Sequence, residues 1–131
     1  MITCSYDTTA IIWSLINGSM LYNLTGHTKR IVSVSISLDN TKVVTGSLDH
    51  TAKSWSLLNG SLLHTLSGHS DNILCAAVSN DNTIVVTGSM DNTAIIWSLI
   101  DGSRLFNLTG HTNSINSVAI SNDNTKVVTG S

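Results

Sequence analysis

The feature that most constrains this chain is a repeat of 42 residues. Three tryptophans, Trp13, Trp55 and Trp97, lie 42 positions apart. Other residues recur at the same step, namely Asp7, Asp49 and Asp91, the Gly-His pairs at 26–27, 68–69 and 110–111, and the Thr-Gly-Ser segments at 45–47, 87–89 and 129–131. A period of about 20–50 residues is typical of solenoids and propellers, in which each repeat buries its apolar face against the next.

The period divides the chain into the units 6–47, 48–89 and 90–131. The first and third units are identical at 32 of 42 positions without a gap, which indicates recent amplification of a single unit. Residues 1–5 precede the first unit and align with Val127–Ser131, so the start and the end of the sequence partly duplicate each other. We interpret residues 1–131 as one segment of a repeat protein.

Each unit predicts four β-strands. Ile31–Ile36 alternates apolar and polar residues, Val43–Thr45 is a β-branched run, and 52–57 contains a tryptophan. Asn59-Gly60 then favours a two-residue hairpin turn before Leu62–Leu66, because both turn residues tolerate positive φ. No segment has a sustained period of 3.6 residues, so the sequence predicts an all-β fold without helices.

Composition excludes several classes of partner. Charged residues make up 11% of the chain, against about 25% in typical soluble domains. The formal net charge is -2 and no basic patch is visible, so we expect neither nucleic acid nor an anionic membrane as a partner. A surface with so few charges protects exposed strand edges poorly against aggregation.

The sequence also predicts where the protein resides and what it lacks. No apolar stretch approaches the roughly 20 residues that span a bilayer. The start, Met-Ile-Thr-Cys-Ser, has neither the basic region nor the apolar run of a secretion signal, so we expect a cytoplasmic protein. Cys4 and Cys75 occupy unrelated repeat positions and indicate neither a disulfide framework nor a metal site. We expect no cofactor.

A four-stranded unit of about 40–45 residues, with Gly-His early and Trp late, resembles the WD40 β-propeller family. The resemblance extends over the whole chain, in three copies in register. One departure is that the family's Trp-Asp pair is Trp-Ser here, at 13–14, 55–56 and 97–98. The tryptophan provides the packing, whereas any hydrogen bond that the aspartate would make at that strand end is weakened.

The resemblance implies a hydrogen-bonded tetrad of His, Ser/Thr, Asp and Trp in each blade. Matching by position gives His27, Thr45, Asp49 and Trp55 for one blade, His69, Thr87, Asp91 and Trp97 for the next, and His111, Thr129, Asp7 and Trp13 for the third. The same residue types occur in a Ser-His-Asp triad, but a set that recurs in every unit, without a Gly-x-Ser-x-Gly elbow, favours a structural role. We therefore expect no enzyme activity. Histidines on different blades are spread around a ring and cannot converge on one metal ion.

The third tetrad is split between the two ends of the chain, which predicts assembly. In the family the strands of a blade run a, b, c, d outward from the axis, so this chain reads as strands c and d, two complete blades, and strands a and b. Propellers usually need about 4–8 blades, and three repeats cannot enclose an axis without severe curvature, so we expect identical chains to join head to tail into a closed ring. In the joined blade we expect Val127–Ser131 to supply strand b, with Met1–Ser5 displaced or disordered.

Two closed rings, with nine or with six blades, are compatible with the sequence. Blade numbers of seven or eight, which the family prefers, correspond to about 45–51° of rotation per blade, whereas nine blades need about 40° and six about 60°. This favours a nine-bladed trimer. A six-bladed dimer remains an alternative because joining fewer chains loses less association entropy.

The family resemblance implies a rigid platform for protein partners. The residues that differ between the units lie partly in two loops that occupy one face of WD40 propellers, which is the face most often used for binding. We expect a protein or peptide to contact these positions, which are Tyr6, Thr8, Lys29, Arg30, Leu48, His50, Asp71, Asn72, Met90, Asn92, Asn113 and Ser114. Neutral drift would produce the same variation. A purely structural, self-assembling element, natural or engineered, and a lectin-like glycan-binding role are the alternative functions.

Overall fold

A computed structural model describes all residues, 1–131, as thirteen β-strands joined by turns and short loops. The strands are β1 (Ile2–Cys4), β2 (Ala10–Trp13), β3 (Met20–Leu24), β4 (Ile31–Ile36), β5 (Lys42–Ser47), β6 (Thr51–Ser56), β7 (Leu62–Ser67), β8 (Ile73–Val78), β9 (Ile84–Ser89), β10 (Ala94–Ser98), β11 (Arg104–Leu108), β12 (Ser117–Ile120) and β13 (Val127–Gly130). The prediction of an all-β chain is confirmed. No helix capable of spanning a bilayer occurs among these elements.

The strands form four separate antiparallel sheets. Two sheets have four strands each, β4-β5-β6-β7 and β8-β9-β10-β11, and in both every strand pairs with its neighbour in sequence. They are flanked by a three-stranded sheet, β1-β2-β3, and a two-stranded sheet, β12-β13. We name the strands of a four-stranded sheet a, b, c and d in chain order, so β2 and β3 correspond to strands c and d, and β12 and β13 to strands a and b.

The hairpin between strands c and d differs from its prediction. Only Gly60 has a positive φ, of 73°, whereas Asn59 does not. The Ser56 N–H donates to Ser61 O at 2.8 Å and the Gly60 N–H donates to Ser56 O at 2.9 Å, which closes a four-residue loop. The predicted two-residue turn is therefore wrong, because a register shift between Ser54 and Trp55 makes room for the longer loop.

Apolar residues of adjacent sheets pack face to face and form the core. One buried cluster joins the two four-stranded sheets and consists of Val44, Ala52, Leu66, Ile73, Val85, Ile95, Trp97 and Leu99. A second cluster joins β2 and β3 to the sheet that begins at Ile31, and a smaller one joins β9 and β10 to Ile115. Each sheet thus buries an apolar face against the next, as the repeat pattern predicts.

Strand β1 occupies the place of strand b in the three-stranded sheet. It pairs Ile2 with Ile12, Thr3 with Ile11 and Cys4 with Ala10. The equivalent register in the neighbouring sheet pairs Thr45 with Lys53 and Gly46 with Ala52, so the two pairings match position for position. Met1–Ser5 is therefore neither displaced nor disordered in the single chain. Its displacement in a joined ring remains a prediction.

Candidate functional site

The first complete tetrad lies at one end of the β4–β7 sheet, with Thr45 on β5 and Trp55 on β6. His27 lies in the loop between β3 and β4, and Asp49 lies in the turn between β5 and β6. The Nδ1 atom of His27 lies 2.8 Å from Asp49 Oδ2, and its Nε2 atom lies 2.8 Å from Thr45 Oγ1. The indole N–H of Trp55 donates to Thr45 Oγ1 at 2.9 Å. The four side chains form one continuous hydrogen-bonded chain.

The second tetrad repeats this geometry in the β8–β11 sheet. His69 Nδ1 lies 2.8 Å from Asp91 Oδ2, and His69 Nε2 lies 2.9 Å from Thr87 Oγ1. The Trp97 indole N–H donates to Thr87 Oγ1 at 2.8 Å. The structure thus brings together both sets of four residues that the repeat pattern predicts for the complete blades.

Protonation states follow from burial and hydrogen bonding. Burial lowers the pKa of His27 below its usual 6.5, although the Asp49 carboxylate opposes this shift, so the ring is neutral near pH 7. Burial alone would raise the pKa of Asp49, but hydrogen bonds from Thr51, Thr28 and His27 outweigh it and lower the pKa to about 2. An ionised carboxylate only accepts, so His27 donates from Nδ1 and accepts the Thr45 hydroxyl at Nε2.

The tetrad also anchors the two loops that meet at its open end. Asp49 Oδ2 accepts the backbone N–H of Thr28 at 3.0 Å, and Asp49 Oδ1 accepts the backbone N–H of Thr51 at 3.0 Å. The hydroxyl of Ser47 contacts the carbonyl oxygens of Lys29 and Arg30 at 3.0 and 2.9 Å. The Asp49 carboxylate and the buried Ser47 hydroxyl therefore fix the backbone of the loop, and leaving the buried hydroxyl unpaired would cost about 1–3 kcal/mol.

The third predicted tetrad is divided between two sheets of the chain. His111 Nε2 lies 2.8 Å from Thr129 Oγ1, but Nδ1 has no partner among the protein atoms. Asp7 accepts the hydroxyl and backbone N–H of Thr9 at 2.7 and 3.0 Å and has no histidine beside it. The single chain thus brings together one pair of this tetrad and leaves the other two residues apart.

Trp13 forms its hydrogen bond with a different threonine from the one predicted. Its indole N–H donates to Thr3 Oγ1 at 2.8 Å. Thr3 aligns with Thr129 and is shared by the two end segments, Met-Ile-Thr-Cys-Ser and Val-Val-Thr-Gly-Ser. This equivalence is the sequence signal that indicates Thr3 as an acceptor for the Trp13 indole.

Comparison with known protein families identifies the family of this chain. The sequence model described as WD domain, G-beta repeat matches residues 18–56, 60–98 and 102–131. The chain belongs to the WD40 family. A search of curated proteins found no significant match.

The Trp-Ser pair, which departs from the WD40 pattern, still makes a hydrogen bond at the strand end. The Ser56 hydroxyl accepts the backbone N–H of Leu58 at 3.2 Å, and the Ser98 hydroxyl accepts that of Ile100 at 3.3 Å. Ser14 accepts the backbone N–H of Ile16 in the same way, at 3.2 Å. In all three units the serine therefore lies where strand c ends and the loop to strand d begins.

The predicted binding positions lie where the loops that precede strand a meet the turns between strands b and c. We call this the loop face, formed by residues 6–8, 26–30, 48–50, 68–72, 90–92 and 110–114. Tyr6 is 75% exposed, and the Arg30 guanidinium carbon lies 3.5 Å from the centroid of its ring. Asn72 donates to the Met90 sulfur at 3.4 Å. Lys29 is exposed. These contacts join apolar and charged side chains on one surface.

Most of the other predicted binding positions make hydrogen bonds within the loops or close their turns. Asp71 Oδ1 accepts the N–H of Asn72, and Asn113 Oδ1 accepts that of Ser114. Thr8, His50 and Asn92 take positive φ angles of 73°, 70° and 68°, which close the turn after each aspartate. Leu48 is half-buried, and its N–H donates to Arg30 O at 3.0 Å.

Proposed function

We propose that this WD40 chain is a protein-interaction scaffold that binds through the loop face. WD40 repeats generally mediate such interactions. The observation that supports the proposal most directly is the contrast between a fixed loop backbone and variable side chains. Asp49 and Ser47 hold the backbone of residues 28–30, while Lys29 points into solvent. A rigid frame with different side chains on each blade reduces the ordering cost of binding and permits specificity.

The side chains suggest the chemistry of the partner. Lys29 and Arg30 are adjacent, and the guanidinium of Arg30 stacks on the exposed ring of Tyr6. Arginine and tyrosine are enriched among residues that contribute most to interfaces. A stacked guanidinium keeps its edge free to bond a carboxylate. We propose that this part of the loop face binds a protein segment with an acidic side chain beside an apolar one.

Peptide display against the purified protein tests this proposal. The variant Tyr6→Met, Lys29→Asn, Arg30→Ser replaces the first unit's residues by those of the third, Met90, Asn113 and Ser114. We expect the wild type to enrich acidic-apolar peptides and the variant to lose at least about tenfold in affinity for them, since a hydrogen bond to a charged group contributes about 1.5–3 kcal/mol. Leu58→Ser, in the loop between strands c and d at the opposite end of the sheet, is the control.

Equal capture by the variant and the wild type would show that the loop face does not select the peptide. The variant uses residues that already occur at equivalent positions of this fold, so a general loss of folding is not expected. Circular dichroism of the variant checks this directly.

We further propose that identical chains join head to tail into a closed ring, with a nine-bladed trimer favoured and a six-bladed dimer as the alternative. The support is that His111 and Thr129 lie at one end of the row of sheets and Asp7 and Trp13 at the other. A heterologous contact of this kind closes into a ring when its rotation permits. A structural element with no other partner is the second candidate, which the 32 of 42 identities between two units favour.

The tetrads belong to the scaffold in this proposal and not to a catalytic site. Thr45 and Thr87 are fully buried, so a substrate cannot reach either hydroxyl. Each hydroxyl is also occupied by an indole donor and an imidazole acceptor. A hydrolase assay with ester and peptide substrates is expected to show no turnover above buffer.

A further inference from the structure

A cavity of about 210 Å³ lies between the β8–β11 sheet and the two-stranded β12-β13 sheet. It is lined by Leu108, Thr109, Gly110, His111, Ile115 and Thr129. In the complete blades the equivalent space holds the indole of strand c. A Cβ atom added at Gly68 would lie 3.0 Å from Trp97 Cη2, and one at Gly26 would lie 3.4 Å from Trp55 Cη2. At Gly110 nothing lies within 4 Å. The cavity is therefore a tryptophan site without its tryptophan.

The polar atoms around this cavity match the missing side chains. In the complete blades the aspartate accepts hydrogen bonds from the histidine Nδ1 and from the next backbone N–H, as Asp91 does from His69 and Ser70. The equivalent donors here, His111 Nδ1 and the Thr112 N–H, have no protein partner. Thr129 Oγ1 likewise has no indole donor. The cavity thus presents two donors for a carboxylate and one acceptor for an indole N–H.

At the other end of the chain, Asp7 needs a histidine donor and the Trp13 indole needs a hydroxyl acceptor. Strand β1 provides only the second. Thr3 accepts the Trp13 indole, but no histidine reaches Asp7. Cys4 also stands where the complete blades have glycine. At Gly46 an added Cβ would lie 2.9 Å from Ile73 Cγ2, and at Gly88 it would lie 2.6 Å from Ile115 Cγ2. A cysteine at this position therefore packs less closely against the next sheet than a glycine.

Apolar groups at the two ends are exposed where their counterparts are buried. Val128 is 66% exposed, whereas Val44 and Val86 are fully buried. Leu15 is 81% exposed, whereas Leu99 is 1% exposed. Val128 lies on strand b and Leu15 lies just after strand c. Pairing of β13 of one chain with β2 of another would therefore cover both side chains.

A hydrogen bond between the a–b turns of adjacent sheets, from a backbone N–H to an asparagine side chain, also lacks one partner at each end of the row of sheets. The Leu38 N–H donates to Asn82 Oδ1 at 2.8 Å, and the Asn80 N–H donates to Asn124 Oδ1 at 2.9 Å. By the same step, the Asn122 N–H would donate to an asparagine of a following sheet, and Asn40 Oδ1 has no donor within the chain. The complementarity therefore extends beyond the tetrad to the turn between strands a and b.

We infer that the cavity beside His111 and Thr129 is the receptor site for Asp7 and Trp13 of a second copy of this chain. In this assembly Val127–Ser131, which borders the cavity, replaces Met1–Ser5 of the second copy as strand b. The inference rests on the proposed ring and adds its mechanism. Exchange replaces Thr3 by Thr129 as the acceptor of the indole, Cys4 by Gly130 at the packed position, and supplies β12 as strand a. The exchanged blade has all four strands and a complete tetrad.

A matched pair of variants, Thr129→Val and Thr3→Val, tests the exchange. Both remove one hydroxyl without changing the side-chain shape, and both residues lie outside the two complete blades. Thr129→Val leaves a buried indole N–H and an imidazole unpaired in the assembly, so we expect the concentration at which the assembly dissociates to rise about tenfold or more. Thr3→Val weakens only the competing strand, so this concentration stays unchanged or falls. Analytical ultracentrifugation across a dilution series measures both.

Hydrogen exchange provides a second reading on the assembled wild type. The amides of residues 2–4 are expected to exchange faster in the assembly than in the dilute single chain, because β1 is released. An assembly that is weakened by Thr3→Val and not by Thr129→Val would overturn the exchange while leaving the ring intact. A wild-type chain that stays monomeric at every concentration would overturn the ring and the exchange together.

Discussion

Each complete tetrad joins four side chains in one line of hydrogen bonds, with a threonine hydroxyl between the indole and the imidazole. Thr45 accepts the Trp55 indole and donates to His27, and His27 donates to Asp49. Every donor and acceptor along this line has a partner, which is what a buried polar network needs to be stabilising. At the residue scale, the tetrad therefore fixes the loops on one side of the sheet to strands b and c.

Ser54 is the exception to this pairing. Its hydroxyl is fully buried and has no hydrogen-bond partner, and the equivalent positions of the other units are Ile12 and Ile96. An unpaired buried hydroxyl costs about 1–3 kcal/mol, so we expect Ser54→Ala to raise the free energy of unfolding by about 1 kcal/mol. Urea denaturation followed by tryptophan fluorescence measures the change.

Ser79→Ala is the matched control for this prediction. The Ser79 hydroxyl is also buried, but it donates to Asp81 at 2.6 Å and accepts the Ile84 N–H at 3.1 Å. We expect its removal to lower the free energy of unfolding by about 1 kcal/mol. Destabilisation of similar size by both variants would mean that Ser54 has a partner after all.

At the scale of the strands, the period of the sequence accounts for much of what the structure contains. Alternation in Ile31–Ile36 predicted β4, and the spacing of the tryptophans placed strand c in each unit. The sequence does not predict the four-residue loop after Ser56, because Asn-Gly is also compatible with a tighter turn and a register shift leaves no sequence signal. The pairing of β1 was missed because its five residues share only Thr3 and Ser5 with 127–131.

The glycine of strand b shows how closely adjacent sheets pack. A Cβ at Gly88 would lie 2.6 Å from both Cys75 Sγ and Ile115 Cγ2, whereas at Gly130 the nearest side chain is Ser117 Cβ at 3.6 Å. We expect Gly88→Ala to lower the free energy of unfolding by about 1–3 kcal/mol, as overpacking does. Gly130→Ala is the control and is expected to change it by less than about 0.5 kcal/mol in dilute single chains. Thermal and urea unfolding compare the two.

Equal destabilisation by the two alanines would contradict this account of the packing. It would show that the backbone conformation of the Thr-Gly-Ser segment, and not contact with the next sheet, requires glycine there.

At the scale of the whole molecule, the chain is a row of sheets with part of a tetrad at each end. One end offers His111 and Thr129, and the other offers Asp7 and Trp13. The sequence named these four residues and their division between the ends, because the period fixes which positions are equivalent. It did not identify Thr3 as the acceptor in the single chain, since that depends on which of two similar segments lies nearer to strand c.

Solution mass measured by light scattering over a dilution series tests the proposed ring most directly. The chain mass is 13.9 kDa, so a trimer has three times this mass, 41.7 kDa, and a dimer twice, 27.8 kDa. We expect 41.7 kDa, constant over the concentrations at which the ring is closed, because a closed ring has no free end to which a further chain can add. A mass of 27.8 kDa would give the six-bladed ring. A folded species that remains at 13.9 kDa at all concentrations would contradict head-to-tail assembly.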